Sequence, residues 1–161
     1  MHEHRNDEII TYIVDGLVRH TDSSGARLVP STTRIMVMNA GKGFWHEEGT
    51  RPDDPTLHAL QIFVRPHTVD REPNIQFRAI GSPALNEWRL LVGPENTEAQ
   101  SFVRNDVQLY DAHLVRGAEV DLPKATAGTP SSIPIAAELM SMVQTSKRKR
   151  VHSWSKRRMS A

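Results

Sequence analysis

Short runs of β-branched, leucine and aromatic residues recur along the chain with turn signals between them. EIITYIV (8–14) ends at Asp15-Gly16, a pair that favours a tight hairpin because glycine tolerates positive φ. LVRH (17–20) then meets TDSSGA (21–26), a second turn cluster. RIMVM (34–38), HALQIFV (58–64), WRLLV (88–92), AQSFV (99–103) and VQLYDAHLV (107–115) continue the pattern. Many short strands at this spacing predict an all-β antiparallel sandwich or barrel rather than βαβ units. Tyr12, Ile10 and Val14 alternate along the first long run and are expected to line an interior.

The stretch from Arg65 to Pro83 holds Pro66, Pro73, Gly81 and Pro83 and reads as a linker between two β units. After Gly128 the character changes. Ile135, Leu139, Met142 and Val143 fall at helical spacing behind Ser131 or Ser132 as a cap, so a short amphipathic helix is expected there, followed by a disordered basic end.

At 161 residues the chain has room for one ordinary domain or two small ones. It has no cysteine, which excludes disulfides, thiolate metal sites and cysteine nucleophiles, so any metal must use His, Asp, Glu or water. No apolar run is long enough for a membrane span, and charges throughout the first turns of sequence argue against a signal peptide, so a soluble cytoplasmic protein is expected, or a nuclear one in a eukaryote. The net charge of +1 conceals an asymmetry: residues 147–161 carry seven Lys and Arg and no acid, leaving 13 basic against 19 acidic side chains in residues 1–146. Nucleic-acid binding is therefore expected only through the tail, where KRKRVHSWSKRR also resembles a nuclear-import stretch.

Two segments could carry metal chemistry. His2 and His4 are one residue apart, which on a strand places both imidazoles on one face and turns Glu3 away. In NAGKGFWHEE (39–48), Gly41 and Gly43 mark a bend, and His46 with Glu48 repeats the alternation on a second strand. Imidazoles with a carboxylate suit Fe(II), Mn(II), Ni(II) or Cu(II) with open positions better than a closed structural zinc shell. Chance alone also produces an H-x-H pair among eight histidines, and the free terminal amine with His2 can capture Cu(II) or Ni(II) without any fold.

HEHRNDEIITYIVDGLVRHTDSSGA followed by NAGKGFWHEE resembles the pirin family of the cupin superfamily. That family carries an H-P-H-R-x-x-E-x-V-T-Y-x-x-x-G-x-x-x-H-x-D-S-x-G block and then an x-A-G-x-G-x-x-H-x-E block. LHALQIFVRP and the segment from RLLVGPENTEAQSFV to AEVDLP are similar to later family strands, so the resemblance covers about residues 1–128. It implies a bicupin: an N-terminal cupin over 1–64, a linker over 65–83, a partial second cupin over 84–128 and an atypical basic tail over 129–161. It also implies one mononuclear metal, Fe(II) first and Mn(II), Ni(II), Cu(II) or Zn(II) as alternatives, held by His2, His4, His46 and Glu48. Glu8 is the competing carboxylate, because other cupins take a Glu from their first motif. His20 occupies a family position and reads as a hydrogen-bonding residue rather than a ligand.

Against the family pattern, the H-x-H block begins one residue into this chain, and VPSTTRIMVM replaces a Pro-Gly-Asp turn. Residues 81–128 supply only part of a second barrel. The resemblance thus implies a truncated chain with open sheet edges prone to self-association. Three functions follow as expectations: a quercetin 2,3-dioxygenase type of activity on a flavonol and dioxygen with Glu48 as ligand and catalytic base; a metal- and redox-dependent regulator that binds a protein partner, of the transcriptional coregulator type; or an inactive truncated remnant.

Overall fold

The computed structural model describes residues 1–123. The expected tail helix around Ile135 to Val143 and the basic end lie outside the described residues. Among the described residues there are eleven strands and no helix: β1 (His2–His4), β2 (Glu8–Asp15), β3 (Arg19–Asp22), β4 (Arg27–Leu28), β5 (Arg34–Asn39), β6 (Phe44–Gly49), β7 (His58–Val64), β8 (Asn74–Ala79), β9 (Trp88–Pro94), β10 (Ser101–Val103) and β11 (Leu109–Ala112). They form three sheets in the orders β1-β6-β3-β4, β7-β2-β5-β8 and β10-β9-β11. Every pairing is antiparallel except β10 with β9, which is parallel.

The β7-β2-β5-β8 sheet lies between the other two, and its sequence shows why. A strand buried on both faces reads as a near-continuous apolar run rather than an alternating one. Residues 8–11 of β2 and 35–39 of β5 are buried without interruption. One face, through Ile10, Ile35, Val37 and Val64, packs on Leu91, Val92 and Val103 of the third sheet and its neighbours. The other, through Ile9, Met38 and Ala40, packs on Phe44 of the first sheet.

The three-sheet arrangement and its strand pairings correct three expectations. Ile10 and Tyr12 do not line the interior that faces the histidines. Ile10 packs against the third sheet, and the Tyr12 hydroxyl donates to Asp111 Oδ2 at 3.0 Å, so Ile9 and its face fill the first interior instead. Asp15-Gly16 does not make a hairpin: β2 and β3 lie in different sheets, and the turn carries the chain across a corner between them. Gly16 has φ +76° there, and a Cβ would meet the Thr56 carbonyl oxygen at 2.4 Å, so only glycine fits the crossing. The stretch 65–83, read as a linker, contains β8, which pairs with β5 over its whole length. Its prolines flank that strand at 66, 73 and 83 and leave its ladder donors intact.

A polar seam fastens the third sheet to the middle one. Gln76 of β8 treats the Phe102 main chain as a strand would, donating Nε2 to its carbonyl at 2.8 Å and accepting its N–H at 2.9 Å. Buried Glu8 accepts the Arg104 N–H at 3.0 Å on Oε2 and also takes the Asn39 amide. Burial pushes the Glu8 carboxyl above its usual range, against the lowering effect of Arg104 and Asn39.

Because Ile10 is fully buried between the middle and third sheets, Ile10→Ala should cost about 2–5 kcal/mol of unfolding free energy. Urea denaturation followed by tryptophan fluorescence measures it, and a loss well below about 1 kcal/mol would contradict the two-sided packing.

Candidate metal centre

Strand β6 runs between β1 and β3, and its alternation turns Phe44, His46 and Glu48 inward while Trp45 and Glu47 face out. The bend before it needs Gly41, with φ +51°, where a Cβ would meet the Arg71 carbonyl oxygen at 2.1 Å. Register then does the assembly. His2 stands opposite His46 on one side, while Asp22 stands opposite His46 and His20 opposite Glu48 on the other. On β1, a three-residue edge strand, His4 follows His2 on the same face. The chain leaving β1 is tied down at Asn6, whose N–H donates to Gly41 O at 2.7 Å and whose Oδ1 accepts the Asp70 N–H at 2.7 Å.

Three imidazoles converge as a result. His2 Nε2 lies 2.9 Å from His4 Nε2 and 3.0 Å from His46 Nε2, with ring centroids 4.5–5.0 Å apart. A ring nitrogen cannot donate and accept in its plane at once, so a single proton on His2 Nε2 satisfies one of these contacts and leaves the other without a hydrogen. A cation among the three nitrogens resolves both contacts. An ion about 2.1 Å from each nitrogen, with ligands at right angles, requires nitrogens about 3.0 Å apart, which is the spacing His2 Nε2 has from each of the other two. His4 is prepared for this role: its Nδ1 lies 3.2 Å from Asp7 Oδ2, and donation there leaves the Nε2 lone pair facing the cluster. Burial holds the His46 imidazole down at about 4, although Glu48 opposes that shift, so it is neutral near pH 7 as a ligand must be.

Glu48 occupies the next position on the same face. Its Oε2 accepts from Gln61 Nε2 of β7 at 2.9 Å, and its buried Oε1 has no hydrogen-bond partner. That oxygen lies 3.5 Å from His20 Nδ1 and 3.9 Å from His46 Nδ1. The donors therefore form two groups that share His46, namely His2, His4 and His46, and His20, His46 and Glu48. Burial raises the Glu48 carboxyl, but His20, His46 and Gln61 together outweigh it and bring it below its ordinary value. Burial likewise opposes charge on His20, yet Glu48 and Asp22 raise its pKa overall.

Of the residues that the sequence points to, His2, His4 and His46 are brought together, and Glu48 lies beside them on the same strand as His46. Glu8 lies in the polar seam on the far face of the middle sheet, where it meets Asn39 and Arg104 rather than any histidine. The sequence reading does not reach Asp22 or Gln61. The H-x-D alternation over His20 to Asp22 is a signal for the first, but Gln61 has none, because its part depends on which sheet faces which. A hollow of about 200 Å³ beside β10, with Arg71 and Arg104 set against Glu95 and Asp106, lacks a comparable convergence of donors.

Residues 1–64 match the Pirin family model. Quercetin 2,3-dioxygenase of Escherichia coli (strain K12) is 29% identical over 115 residues, which are 71% of this chain and 49% of that protein. A putative quercetin 2,3-dioxygenase of Zymomonas mobilis is 35% identical over 126 residues, 76% of this chain and 53% of that protein. Among solved structures, YhhW from Escherichia coli superposes with a TM-score of 0.61 at 29% identity, covering 68% of this chain and 46% of that one. The bacterial pirin YhhW in complex with nickel(II) superposes with a TM-score of 0.58 at 29% identity over the same shares. The chain spans about half the length of the curated relatives it matches.

The depressed His46 pKa makes a pH prediction for the metal-free protein. Above the unfolded value near 6.5 both states are neutral at this residue. As pH falls from there toward 4, the unfolded chain takes up a proton that the folded chain refuses, so stability contributed by neutral His46 is lost. The melting temperature of His46→Gln should accordingly fall less between about pH 7 and about pH 4.5 than that of the parent, and an equal or steeper fall would contradict the buried neutral imidazole.

Proposed function

We propose that this chain, whose residues 1–64 belong to the pirin family, binds one divalent first-row metal ion through His2, His4, His46 and Glu48 and acts on a flavonol with dioxygen. The observation that carries the reading is the convergence of the three Nε2 atoms at 2.9 and 3.0 Å. Fe(II) is the proposed native ion. Ni(II), Mn(II), Cu(II) and Zn(II) suit the same nitrogen and carboxylate donors.

When bound, the ion supplies Lewis-acid polarisation of a substrate oxygen and the redox chemistry that dioxygen requires. The chain does the rest. Glu48, ionised and anchored by only one oxygen to Gln61, is the group placed to take the proton of the flavonol 3-hydroxyl. Deprotonation readies the heterocycle for cleavage by dioxygen with loss of carbon monoxide. Phe63 stands beside His4 with ring centroids 5.7 Å apart and is 53% exposed, so its face is available to stack on an aromatic substrate. His46 is buried, His4 half-buried and His2 exposed, which orders the cluster from floor to mouth.

Elemental analysis after loading with Ni(II) or Fe(II) should find one ion per chain in the parent and little in His4→Ala. Flavonol consumption under air should fall about 10²–10⁴-fold in Glu48→Ala, as for loss of a general base, and vanish in His46→Ala. Turnover unchanged in both variants would overturn the assignment.

A further inference from the structure

The Asp22 and His20 pair is the feature of this site that metal binding alone does not require. Asp22 Oδ1 accepts from Ser24 N at 2.8 Å, from Ser24 Oγ and from Ala26 N at 3.2 Å, which seats the carboxylate in the turn after β3. Its Oδ2 lies 3.0 Å from His20 Nε2, and both side chains are completely buried. With Nε2 fixed on Asp22, the His20 ring has one orientation, and its Nδ1 edge faces β6. The residue across the ladder at that point is Glu48. His20 Nδ1 faces both His46 Nδ1, at 3.4 Å, and Glu48 Oε1, the buried oxygen with no hydrogen bond, at 3.5 Å. Gln61 holds the other oxygen from the opposite sheet.

We infer that His20, oriented by Asp22, is a positioning residue that keeps Oε1 of Glu48 on its Nδ1 side, so that Oε2 can leave Gln61 for the metal ion or for a substrate proton. This rests on the metal centre proposed above and adds to it a reason for His20 to be buried beside His46. With Oε1 kept in that 3.5 Å contact, the motion left to the carboxylate is chiefly that of Oε2 away from Gln61. Without the contact both oxygens are free to turn, and binding an ion must then order them. Outer partners of a metal-binding side chain commonly set metal affinity by about 10–100-fold.

The test is a double-mutant cycle read by Ni(II) affinity in competition with a chelator, together with the electron paramagnetic resonance spectrum of bound Cu(II). His20→Leu should weaken Ni(II) binding by about 10–100-fold. It should also move the Cu(II) spectrum toward that of Glu48→Gln. If His20 acts through Glu48, the double variant His20→Leu with Glu48→Gln should bind no more weakly than Glu48→Gln alone, whereas action through the His46 contact would add a further loss. His20→Asn, whose amide nitrogen sits near the place of Nδ1, should recover most of the affinity. Asp22→Asn can still accept from Ser24 and Ala26 and should show the same non-additivity, which keeps the test open should His20→Leu fail to fold. Additive losses, or Ni(II) affinity unchanged in His20→Leu while His46→Ala abolishes binding, would overturn this inference alone. Undiminished Ni(II) binding in His46→Ala would overturn the metal centre and the inference together.

Discussion

The candidate centre depends on the register of β6 between β1 and β3. Strand pairing fixes side-chain position to a residue, and a slip of one would turn His46 and Glu48 to the outside together. With the observed register, His2 meets His46 on one edge while Asp22 and His20 meet His46 and Glu48 on the other. All the imidazoles of the centre, and the Glu48 carboxylate with them, come from these three strands. Phe44, two positions before His46 on the same face, ties that register to the apolar contact with Ile9, Met38 and Ala40. Packing and chemistry therefore specify the same alignment, and a register that misplaced the ligands would also expose a phenylalanine.

The middle sheet separates two carboxylates that compete for the same role in the sequence. Glu8 and Glu48 are both inward-facing, yet they face different interiors. Glu8 leaves β2 on the side of Ile10 and meets the third sheet, where its buried carboxyl is bonded by Asn39 and the Arg104 N–H. Glu48 leaves β6 toward the face of the middle sheet that carries Gln61 and Phe63. The distinction is electrostatic as well as spatial. Burial raises both carboxyls and prevails at Glu8, whereas at Glu48 the neighbouring imidazoles and Gln61 together outweigh it and lower the pKa.

Much of the strand content is legible in the sequence because runs such as EIITYIV, RIMVM and HALQIFV carry their own β propensity, and β2, β5 and β7 lie where those runs stand. What is not legible follows from sheets being assembled at long range. Asp15-Gly16 has hairpin chemistry, but nothing local says whether the next strand returns beside its predecessor or crosses to another sheet. The doubly buried β2 gives no alternation from which to choose a face, so its pattern alone puts Ile10 and Tyr12 on the wrong side. NIQFRA lies between prolines and reads as a connection until β5 offers it a partner along its whole length. The pairing of His2 and His4 is visible as spacing, while their meeting with His46 requires the pairing of β1 with β6, across 44 positions of sequence.

β1 contributes two of the three clustered imidazoles from a three-residue edge strand, and so short a ladder holds little free energy of its own. The anchors at Asn6 and the bond from His4 to Asp7 secure its far end, whereas His2 is exposed. An ion held by His2, His4 and His46 would join β1 to β6 side chain to side chain, in addition to the backbone ladder. Only the docked strand offers all three nitrogens, so the free energy of ion binding and the free energy of docking β1 are linked quantities. Order at the edge of the sheet and occupancy of the centre are then two readings of a single equilibrium.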